Sequence, residues 1–344
     1  MQSYDIAGYH LRGMLQGFRR LGLDTDALLR QAQIESSILQ NPEVRFDEAQ
    51  VLALWMNAEA SYAQPGFGLT LALHIPFGGL ELVDYLVATC SSVGTGLECL
   101  DHHARLCASG FYFRIEEGGR ESPGKLLYLE HRHGIELLPR SLVEYLGSMV
   151  ITRLRAFCGP YFQPLFRLRQ APEGPSAAYR DAYGRAPELG AGDVLFVTDA
   201  QWKLENPRRD PTLGTLLHAH ARDVCERLPE ADFESRVRSA IVEALHLGRT
   251  SIQHVGARLA LSPRTLQRRL EENGTTFQAV FDAVRNEFAV HYLSSTQLSL
   301  TEISHLLAYT DPSTFGRAFR RWTGTSPAEF RLHRAATSSG ERAH

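Results

Sequence analysis

The amino-acid pattern that decides the fold occurs twice in the C-terminal third of the chain, as SIQHVGARLALSPRTLQRRL at 251–270 and as SLTEISHLLAYTDPSTFGRAF at 299–319. Each copy predicts a short helix, a tight turn and a second helix. The second helices begin at Ser262-Pro263 and at Asp311-Pro312. Ser and Asp cap helices well, and a proline in the first turn has no N–H that needs a partner.

The second helix of each copy has one apolar face and one polar face. Leu266 and Leu270, like Phe315 and Phe319, are four residues apart and so share a face that we expect to be buried. Arginine and glutamine off that face can each form two hydrogen bonds to a guanine or an adenine. The pattern therefore predicts two helix-turn-helix units, with base contacts from Arg264, Gln267, Arg268, Ser313 and Arg317.

Other polar residues of the same two helices are better suited to hold the DNA backbone. Phosphate contacts position a protein on the duplex without reading its sequence. We expect these contacts from Thr265, Arg269, Thr314, Arg320 and Arg321, and we assign Trp322 to the core.

One long helix is predicted between the two copies, at 276–293. At 1.5 Å per residue it would be roughly 27 Å long. Successive major grooves on one face of a duplex are about 34 Å apart. A helix of this length can therefore place both second helices in adjacent grooves.

The charge distribution agrees with a nucleic-acid partner at one end of the chain. Residues 233–344 contain 14 Arg and 10 Asp or Glu, whereas residues 1–232 contain 22 basic and 29 acidic side chains. The C-terminal part thus has a net charge of +4 and the remainder a net charge of −7. This asymmetry is expected of a chain that binds a polyanion through its C-terminal part alone. All the basic residues of 233–344 are Arg. This preference for Arg over Lys has a second explanation, because a genome rich in G·C favours Arg throughout a chain.

Composition excludes several classes of protein. The 344 residues are 44% hydrophobic and 22% charged, which is ordinary for a globular chain. They contain no apolar run of about 18 residues, the length expected of a membrane span, and no signal peptide at the N-terminus. The five cysteines are an odd, widely spaced set, so we expect reduced thiols and a cytoplasmic location.

The first part of the chain is expected to fold as a mixed α+β domain at 1–229, with a boundary near 228–232. Helical periodicity occurs at 7–22, 46–62, 79–90, 93–109, 136–157 and 212–227. Strand-like alternation occurs at 111–115, 125–129, 165–169 and 193–197, and 117–124 suits a hairpin connection. The stretch 170–192, rich in Pro and Gly, is expected to be a loop.

Residues 236–334 resemble the DNA-binding domain of the AraC/XylS family of bacterial transcriptional regulators, through SPRTLQRRL at 262–270 and DPSTFGRAFRRWTGTSPAEFR at 311–331. The resemblance implies an all-α double helix-turn-helix domain at 233–335, followed by a flexible tail at 336–344. It also implies sequence-specific binding to double-stranded promoter DNA, and contact with RNA polymerase if the protein is an activator. One departure is Ala308, where the family commonly has Gly. If that turn needs a positive φ, Ala is strained by about 1 kcal/mol.

The N-terminal domain resembles the arabinose-binding-type domain of one branch of these regulators. The match rests on short segments: Gly22-Leu23-Asp24, Asn41-Pro42, Phe67-Gly68-Leu69, Tyr85-Leu86 and Arg132-His133-Gly134. The resemblance implies a domain that binds a small-molecule effector and mediates homodimerisation. It names neither the effector nor the residues that bind it.

The residues Cys99, His103 and Cys107 form an i, i+4, i+8 stripe on a predicted helix. Thiolate and imidazole ligands suit Zn or Cu, but the same stripe suits a helix core, where cysteine is commonly buried. We favour the core and expect no metal and no cofactor.

Nothing in the chain matches a GxSxG, HExxH or phosphate-binding glycine motif, so we expect no enzyme. The alternative is a DNA-repair methyltransferase, since some such proteins join this kind of DNA-binding domain to a reactive cysteine. Its acceptor would be Cys107 or Cys99.

Overall fold

The computed structural model describes residues 4–41, 43–118, 123–132, 134–170, 176–190, 192–228 and 233–332. Contacts divide the chain into two units, the first formed by Met1–His131 with Leu138–Pro229 and the second by Arg132–Leu137 with Glu230–His344. The predicted flexible tail at 336–344 lies outside the described residues. No helix among the described residues is both long enough and apolar enough to cross a membrane.

The first unit combines helices with a sheet, as its sequence predicts. Its helices are α1 (Gly8–Arg20), α2 (Thr25–Gln31), α3 (Glu48–Tyr62), α4 (Phe67–His74), α5 (Leu82–Thr89), α6 (Val93–Cys107), α7 (Arg140–Cys158), α8 (Ser176–Tyr183), α9 (Asp199–Trp202) and α10 (Pro211–Arg227). Its strands are β1 (Asp5–Ala7), β2 (Arg45–Asp47), β3 (Phe111–Glu117), β4 (Gly124–His131), β5 (Leu165–Leu168), β6 (Glu188–Leu189) and β7 (Val194–Thr198).

The larger sheet has five strands in the order β3-β4-β7-β5-β6, and β1 pairs with β2 separately. Strands β3 and β4 are antiparallel, with Phe111 opposite His131 and Glu117 opposite Lys125. This pairing confirms the hairpin that the sequence predicts. Among the strands of the described residues, β5 and β6 alone pair in parallel.

Three helices begin two to four residues later than their sequence patterns predict: those expected at 46–62, 79–90 and 136–157 begin at Glu48, Leu82 and Arg140. The helix expected at 46–62 begins at Glu48, because Arg45–Asp47 pair with β1 as a strand. Asp47 caps the helix, since its carboxylate accepts a hydrogen bond from the Ala49 N–H at 2.7 Å. A strand of three residues is too short for its alternation to be recognised.

The stretch at 170–192 is not a continuous loop, and that prediction was wrong. It contains α8, whose Tyr179 and Tyr183 are 1% and 0% exposed. The Tyr179 hydroxyl donates to Glu144 Oε1 at 2.6 Å. Contacts with α7, which is distant in sequence, therefore stabilise a helix among residues that favour turns.

The core of the first unit forms where α3, α4 and α7 pack together. Trp55 is fully buried, with its ring 5.0 Å from that of Phe67 and 5.2 Å from that of Tyr145. Its indole N–H donates to Ser141 Oγ at 2.9 Å. At Gly68 a Cβ would lie 1.8 Å from the Ser141 carbonyl oxygen, so only glycine permits this approach of α4 to α7.

A buried ion pair joins α5 to α7. Arg153 Nε lies 2.9 Å from Asp84 Oδ1, and the two side chains are 4% and 0% exposed. The other carboxylate oxygen of Asp84 accepts from the N–H groups of Gly78 and Leu80 at 2.7 and 3.0 Å. Hydrogen bonds thus offset much of the cost of burying this charge.

The second unit has helices and no strand among its described residues in 233–332. Its helices are α11 (Phe233–His246), α12 (Ile252–Arg258), α13 (Pro263–Glu272), α14 (Phe277–Ser295), α15 (Leu300–Leu306) and α16 (Pro312–Thr323), followed by a helical segment at 327–332. All six contribute buried side chains to one hydrophobic core.

Candidate nucleic-acid interface

The two sequence repeats fold into two helix pairs with matching caps. Pairs α12–α13 and α15–α16 each consist of a short helix, a tight turn and a second helix. Ser262 Oγ accepts from the Thr265 N–H at 3.2 Å, and Asp311 Oδ1 accepts from the Thr314 N–H at 2.8 Å. Proline follows each of these caps, as the sequence predicts.

The turns within the two pairs have the same hydrogen bonds. In the first pair, Leu261 N–H donates to the Gly256 carbonyl at 2.8 Å. In the second pair, Tyr309 N–H donates to the Ser304 carbonyl, also at 2.8 Å. The residue before each donor, Ala260 or Ala308, has a φ of +55°. The turn at Ala308 therefore needs the left-handed conformation that is strained for alanine.

The apolar face of each second helix is buried. Leu266 and Leu270 of α13, like Phe315 and Phe319 of α16, are 0% exposed. Trp322 is partly buried and packs against the same core. Helix α14, between the two pairs, has 19 residues and is therefore about 28 Å long.

On α13, the predicted base-contacting residues Arg264, Gln267 and Arg268 are all exposed. Arg268 forms an ion pair with Glu272, one turn along the helix, and both side chains are more than half exposed. Arg264 and Gln267 form no side-chain hydrogen bond with another described residue. Their polar atoms are thus available to a ligand on this face.

The predicted phosphate contacts on α13 differ in their surroundings. Thr265 is half-buried, and its hydroxyl lies 2.9 Å from Ser262 Oγ within the cap. Arg269 is exposed, with its guanidinium 5.6 Å from the centre of the Phe233 ring. Arg269 therefore lies at the side of α13 that faces α11.

On α16, Ser313, Arg317 and Arg320 are exposed, and Arg317 donates to Thr314 Oγ1 at 3.2 Å. The Thr314 hydroxyl itself donates to Asp311 Oδ2 at 2.8 Å. These bonds tie Thr314 and Arg317 to the start of the helix. No side-chain partner of Ser313 or Arg320 occurs within the described part of the chain.

Arg321 is held differently from the other arginines of α16. It is exposed, and its guanidinium lies 3.2 Å from Asp282 Oδ2 on α14. The ion pair joins α16 to α14 and so directs the Arg321 guanidinium toward α14. A phosphate that binds Arg321 must compete with Asp282.

The sequence pattern did not identify Arg285, which supports the second helix pair. Its guanidinium lies 4.0 Å from the centre of the Phe281 ring and 4.2 Å from that of Tyr309. It donates to the Ala308 carbonyl at 3.0 Å. Arg285 therefore connects α14 to the strained turn.

The acid that caps α16 is strongly hydrogen-bonded. The Thr314 N–H, followed by the Thr314 hydroxyl, lowers the pKa of Asp311 below its usual value. Asp311 is thus a carboxylate at neutral pH and favours the positive end of the helix dipole. The start of α16 is therefore well defined before any DNA is bound.

The first unit contains a small cavity among α1, α3 and α7. It has a volume of about 20 Å³, enough for about one water molecule. Its polar lining includes His10, Glu48 and Tyr145. His10 Nε2 lies 3.0 Å from the Tyr145 hydroxyl, whereas His10 Nδ1 is buried without a hydrogen-bond partner among the described residues. Burial lowers the pKa of His10 to about 4.

The two cysteines considered as methyl acceptors have environments that disfavour a nucleophile. Burial raises the pKa of Cys107 to about 12, and the Tyr9 hydroxyl lies 3.7 Å from its sulfur. A hydrogen bond with Cys90, together with burial, raises the pKa of Cys99. A reactive cysteine needs the opposite shift, which increases its thiolate fraction.

Two family models match the chain. Residues 22–206 match the arabinose-binding domain of AraC transcription regulators, found at the N-terminus of those proteins. Residues 255–333 match a helix-turn-helix domain. The first match spans more than half of the chain, and the second covers both helix pairs apart from the first three residues of α12.

Several known proteins are similar over most of their length. The ornithine utilization regulator of Pseudomonas aeruginosa is 26% identical over 90% of this chain and 91% of its own. The transcriptional regulator VirS of Mycobacterium tuberculosis is 26% identical over 95% and 96%, respectively. The crystal structure of the regulator CdpR from Pseudomonas aeruginosa covers 94% of this chain and 98% of its own, with 18% identity and a TM-score of 0.43.

These relatives are transcriptional regulators. The arabinose-binding match precedes the helix-turn-helix match along the chain. The chain belongs to the AraC family of DNA-binding transcriptional regulators, with an arabinose-binding-type N-terminal domain.

Proposed function

We propose that α13 and α16 enter two adjacent major grooves of promoter DNA and read its sequence. The observation that carries this proposal is the duplicated geometry, in which each second helix buries an apolar pair and exposes arginine beside it. Helix α14, about 28 Å long, separates the two pairs in the chain. Its length is suited to grooves about 34 Å apart.

Base readout is assigned to Arg264, Gln267 and Arg268 on α13 and to Ser313 and Arg317 on α16. Support comes from the exposure of all five. Arginine favours guanine and glutamine favours adenine, since each can form two hydrogen bonds in the major groove. Arg268 must leave Glu272 before it binds a base.

Phosphate contacts are assigned to Thr265, Arg269, Thr314, Arg320 and Arg321. Arg320 is the clearest of these, because it is exposed and forms no side-chain bond to another described residue. Thr265 and Thr314 lie in the first turns of their helices, and their hydroxyls must leave the caps Ser262 and Asp311 before they bind a phosphate. Such contacts would hold both helices in register on the duplex.

Selection from a pool of random duplexes, followed by footprinting of the full-length protein, tests this proposal. We expect protection of two major-groove segments centred about 10 base pairs apart, one helical turn of DNA. Protection of a single segment would contradict binding by both helices. Replacement of Arg264, Gln267 and Arg268 should remove the base preference in one of the two segments, and unchanged preferences in both segments would contradict readout by α13.

The first unit is proposed to bind a small-molecule effector and to form the homodimer. Support for a ligand position comes from the cavity lined by His10, where a buried nitrogen has no described partner. A volume of about 20 Å³ admits little more than water. A larger effector would therefore have to separate α1, α3 and α7. Effector binding would then change the conformation of the first unit, and this change could be transmitted as the signal.

In this proposal the effector changes DNA affinity, and an activator would also contact RNA polymerase. Because the target is promoter DNA, the protein would act in the cytoplasm.

Native mass spectrometry of the full-length protein would detect a bound molecule and the dimer together. Linkage requires DNA to change effector affinity by the same factor as effector changes DNA affinity. Equal effector affinity with and without the selected duplex would contradict this coupling.

A further inference from the structure

Three helices of the first unit bring two thiols and an imidazole together. The sulfur atoms of Cys90 and Cys99 and a ring nitrogen of His218 all lie within 4.8 Å of one another. Cys90 directly follows α5, Cys99 lies on α6 and His218 lies on α10. Both cysteines are buried free thiols, and His218 is half-buried.

Hydrogen bonds hold the backbone around this cluster in place. The Asn206 side-chain amide donates to the carbonyl groups of Ala88 and Cys90 at 2.7 and 3.0 Å. Ser92 caps α6 and accepts from the Thr95 N–H at 3.2 Å, while Thr95 Oγ1 accepts from the Ser92 N–H at 2.9 Å. Both cysteines are therefore presented by backbone that is fixed independently of any ligand.

Helix α10 approaches the end of α5 closely. A Cβ at Gly214 would lie 3.2 Å from Thr89 Cβ, which is tighter than an ordinary van der Waals contact. His218 follows Gly214 by one helical turn on the same side. The close packing of α10 against the end of α5 thus places the His218 imidazole near the two thiols.

The chemistry of the three donors selects a soft metal ion. Thiolate and imidazole ligands suit Zn²⁺, which prefers four ligands in a tetrahedron with Zn–S distances of about 2.3 Å and Zn–N distances of about 2.0 Å. Two such sulfur ligands lie about 3.8 Å apart, so small side-chain rotations would bring this cluster into range.

The two thiols and the imidazole can all become metal ligands by losing or lacking a proton on the donor atom. A neutral imidazole is a ready ligand, and the thiols lose their protons on binding.

We propose that Cys90, Cys99 and His218 form a binding site for Zn²⁺. Binding would release the two thiol protons to solvent and leave a site with no net charge, because two thiolates balance the divalent ion. His103 lies near the cluster: its Nδ1 is 3.0 Å from the Cys99 carbonyl oxygen and 3.8 Å from the Cys99 sulfur, and its ring centre is 5.4 Å from that of His218.

This ligand set differs from the stripe that the sequence suggested. Cys107 lies eight residues beyond Cys99 on α6, about 12 Å along the axis, and contacts Tyr9 instead. A disulfide between Cys90 and Cys99 is the competing use of the two thiols. A disulfide would not involve His218, whose ring nitrogen lies near both sulfur atoms. The arrangement of three donor atoms therefore favours a metal ion over a disulfide. No residue of the second unit takes part, so the inference is independent of the proposed DNA contacts.

Zinc titration of the full-length, reduced protein against a chromophoric chelator tests the proposal. We expect one Zn²⁺ per chain, and Co²⁺ in its place should give the charge-transfer absorption of cobalt–thiolate bonds. Cys90→Ser, Cys99→Ser and His218→Ala should each weaken binding by at least about 100-fold, the upper end of the effect of losing an outer-shell partner. Circular dichroism of each variant verifies folding.

Two matched variants serve as controls. Cys225→Ser removes a half-buried thiol from α10, and His102→Ala removes an exposed imidazole from α6, and neither residue belongs to the cluster. Both should bind zinc like the unaltered chain. Absence of stoichiometric binding, or equal losses in the controls, would overturn the proposal. So would a Cys90–Cys99 disulfide in protein purified without reductant, if the reduced form takes up no zinc.

Discussion

Ala260 and Ala308 have the same backbone φ of +55° although they lie 48 residues apart. Each follows the first helix of a helix pair, and each N–H donates to the carbonyl three residues earlier, at 3.1 and 2.9 Å. A left-handed conformation costs alanine about 1 kcal/mol relative to glycine. The two copies of the motif therefore share a strained turn as well as a sequence pattern.

Glycine at either position should stabilise the second unit. We expect Ala260→Gly and Ala308→Gly each to raise the free energy of unfolding by about 1 kcal/mol, because glycine adopts this φ without strain. Calorimetry of the full chain measures the change. Ala257→Gly, at an exposed position within α12, is the control and should lower stability by about 1 kcal/mol. An unchanged melting temperature in both turn variants would show that the turns are not strained.

Replacement of Arg268 and of Arg320 by alanine should change DNA binding in different ways. We expect Arg268→Ala to cost about 1–3 kcal/mol of binding and to relax the preference at one base pair. Arg320→Ala should weaken binding to all sequences alike and reduce the slope of log affinity against log salt by about one charge. Binding isotherms with the selected duplex and single-base variants measure both. A uniform loss from both variants would show that the assignment of base and phosphate contacts is wrong.

Removal of the Glu272 charge should increase DNA affinity. Glu272 forms an exposed ion pair with Arg268, and such pairs contribute roughly 0–1 kcal/mol that the complex must give up. We expect Glu272→Gln to bind more tightly, with a gain that shrinks at high salt. Glu271→Gln makes the same charge change on the same helix and should gain less. Equal gains would attribute the effect to net charge alone.

The Asp84–Arg153 ion pair should be important for the stability of the first unit. Arg153→Met would leave the fully buried Asp84 without its ionic partner, and we expect a loss of about 3–5 kcal/mol in the free energy of unfolding. Arg167→Met is the matched control, because Arg167 lies 3.8 Å from Glu188 in an exposed pair. That control should cost less than about 1 kcal/mol. Urea unfolding of the full chain distinguishes the two, and similar losses would contradict a special role for the buried pair.

His10 should make stability depend on pH below neutrality. Its pKa is about 4 in the folded chain against an ordinary value of 6.5. The unfolded state therefore binds more protons between these values, and stability is fully present above pH 6.5 and is lost as the pH falls toward 4. The loss amounts to about 3 kcal/mol.

His10→Gln should remove this part of the pH dependence, because an amide does not titrate in this range. The measurement is urea unfolding of the full chain at several pH values between 4 and 7. His102→Ala, which removes an exposed histidine, should leave the pH dependence unchanged. An identical profile for His10→Gln and the unaltered chain would show that His10 titrates normally.

The amino-acid sequence alone predicted the helix pairs of the second unit, because their signals are local. The caps Ser262 and Asp311, the prolines after them and the apolar pairs all lie within one or two turns of the residues they affect. Helix, turn and exposed face then follow from short-range geometry. The hairpin of β3 and β4 was predictable for the same reason.

Only the tertiary structure decided which distant residues meet. Arg153 reaches Asp84 across 69 positions, and His218 reaches Cys99 across 119. Sequence spacing could pair Cys99 only with neighbours on its own helix, and this is why it suggested Cys107. Helix packing depends on how many side chains fill one volume together. The arrangement of α5, α6 and α10, and with it the proposed zinc site, could therefore not be deduced from any one segment.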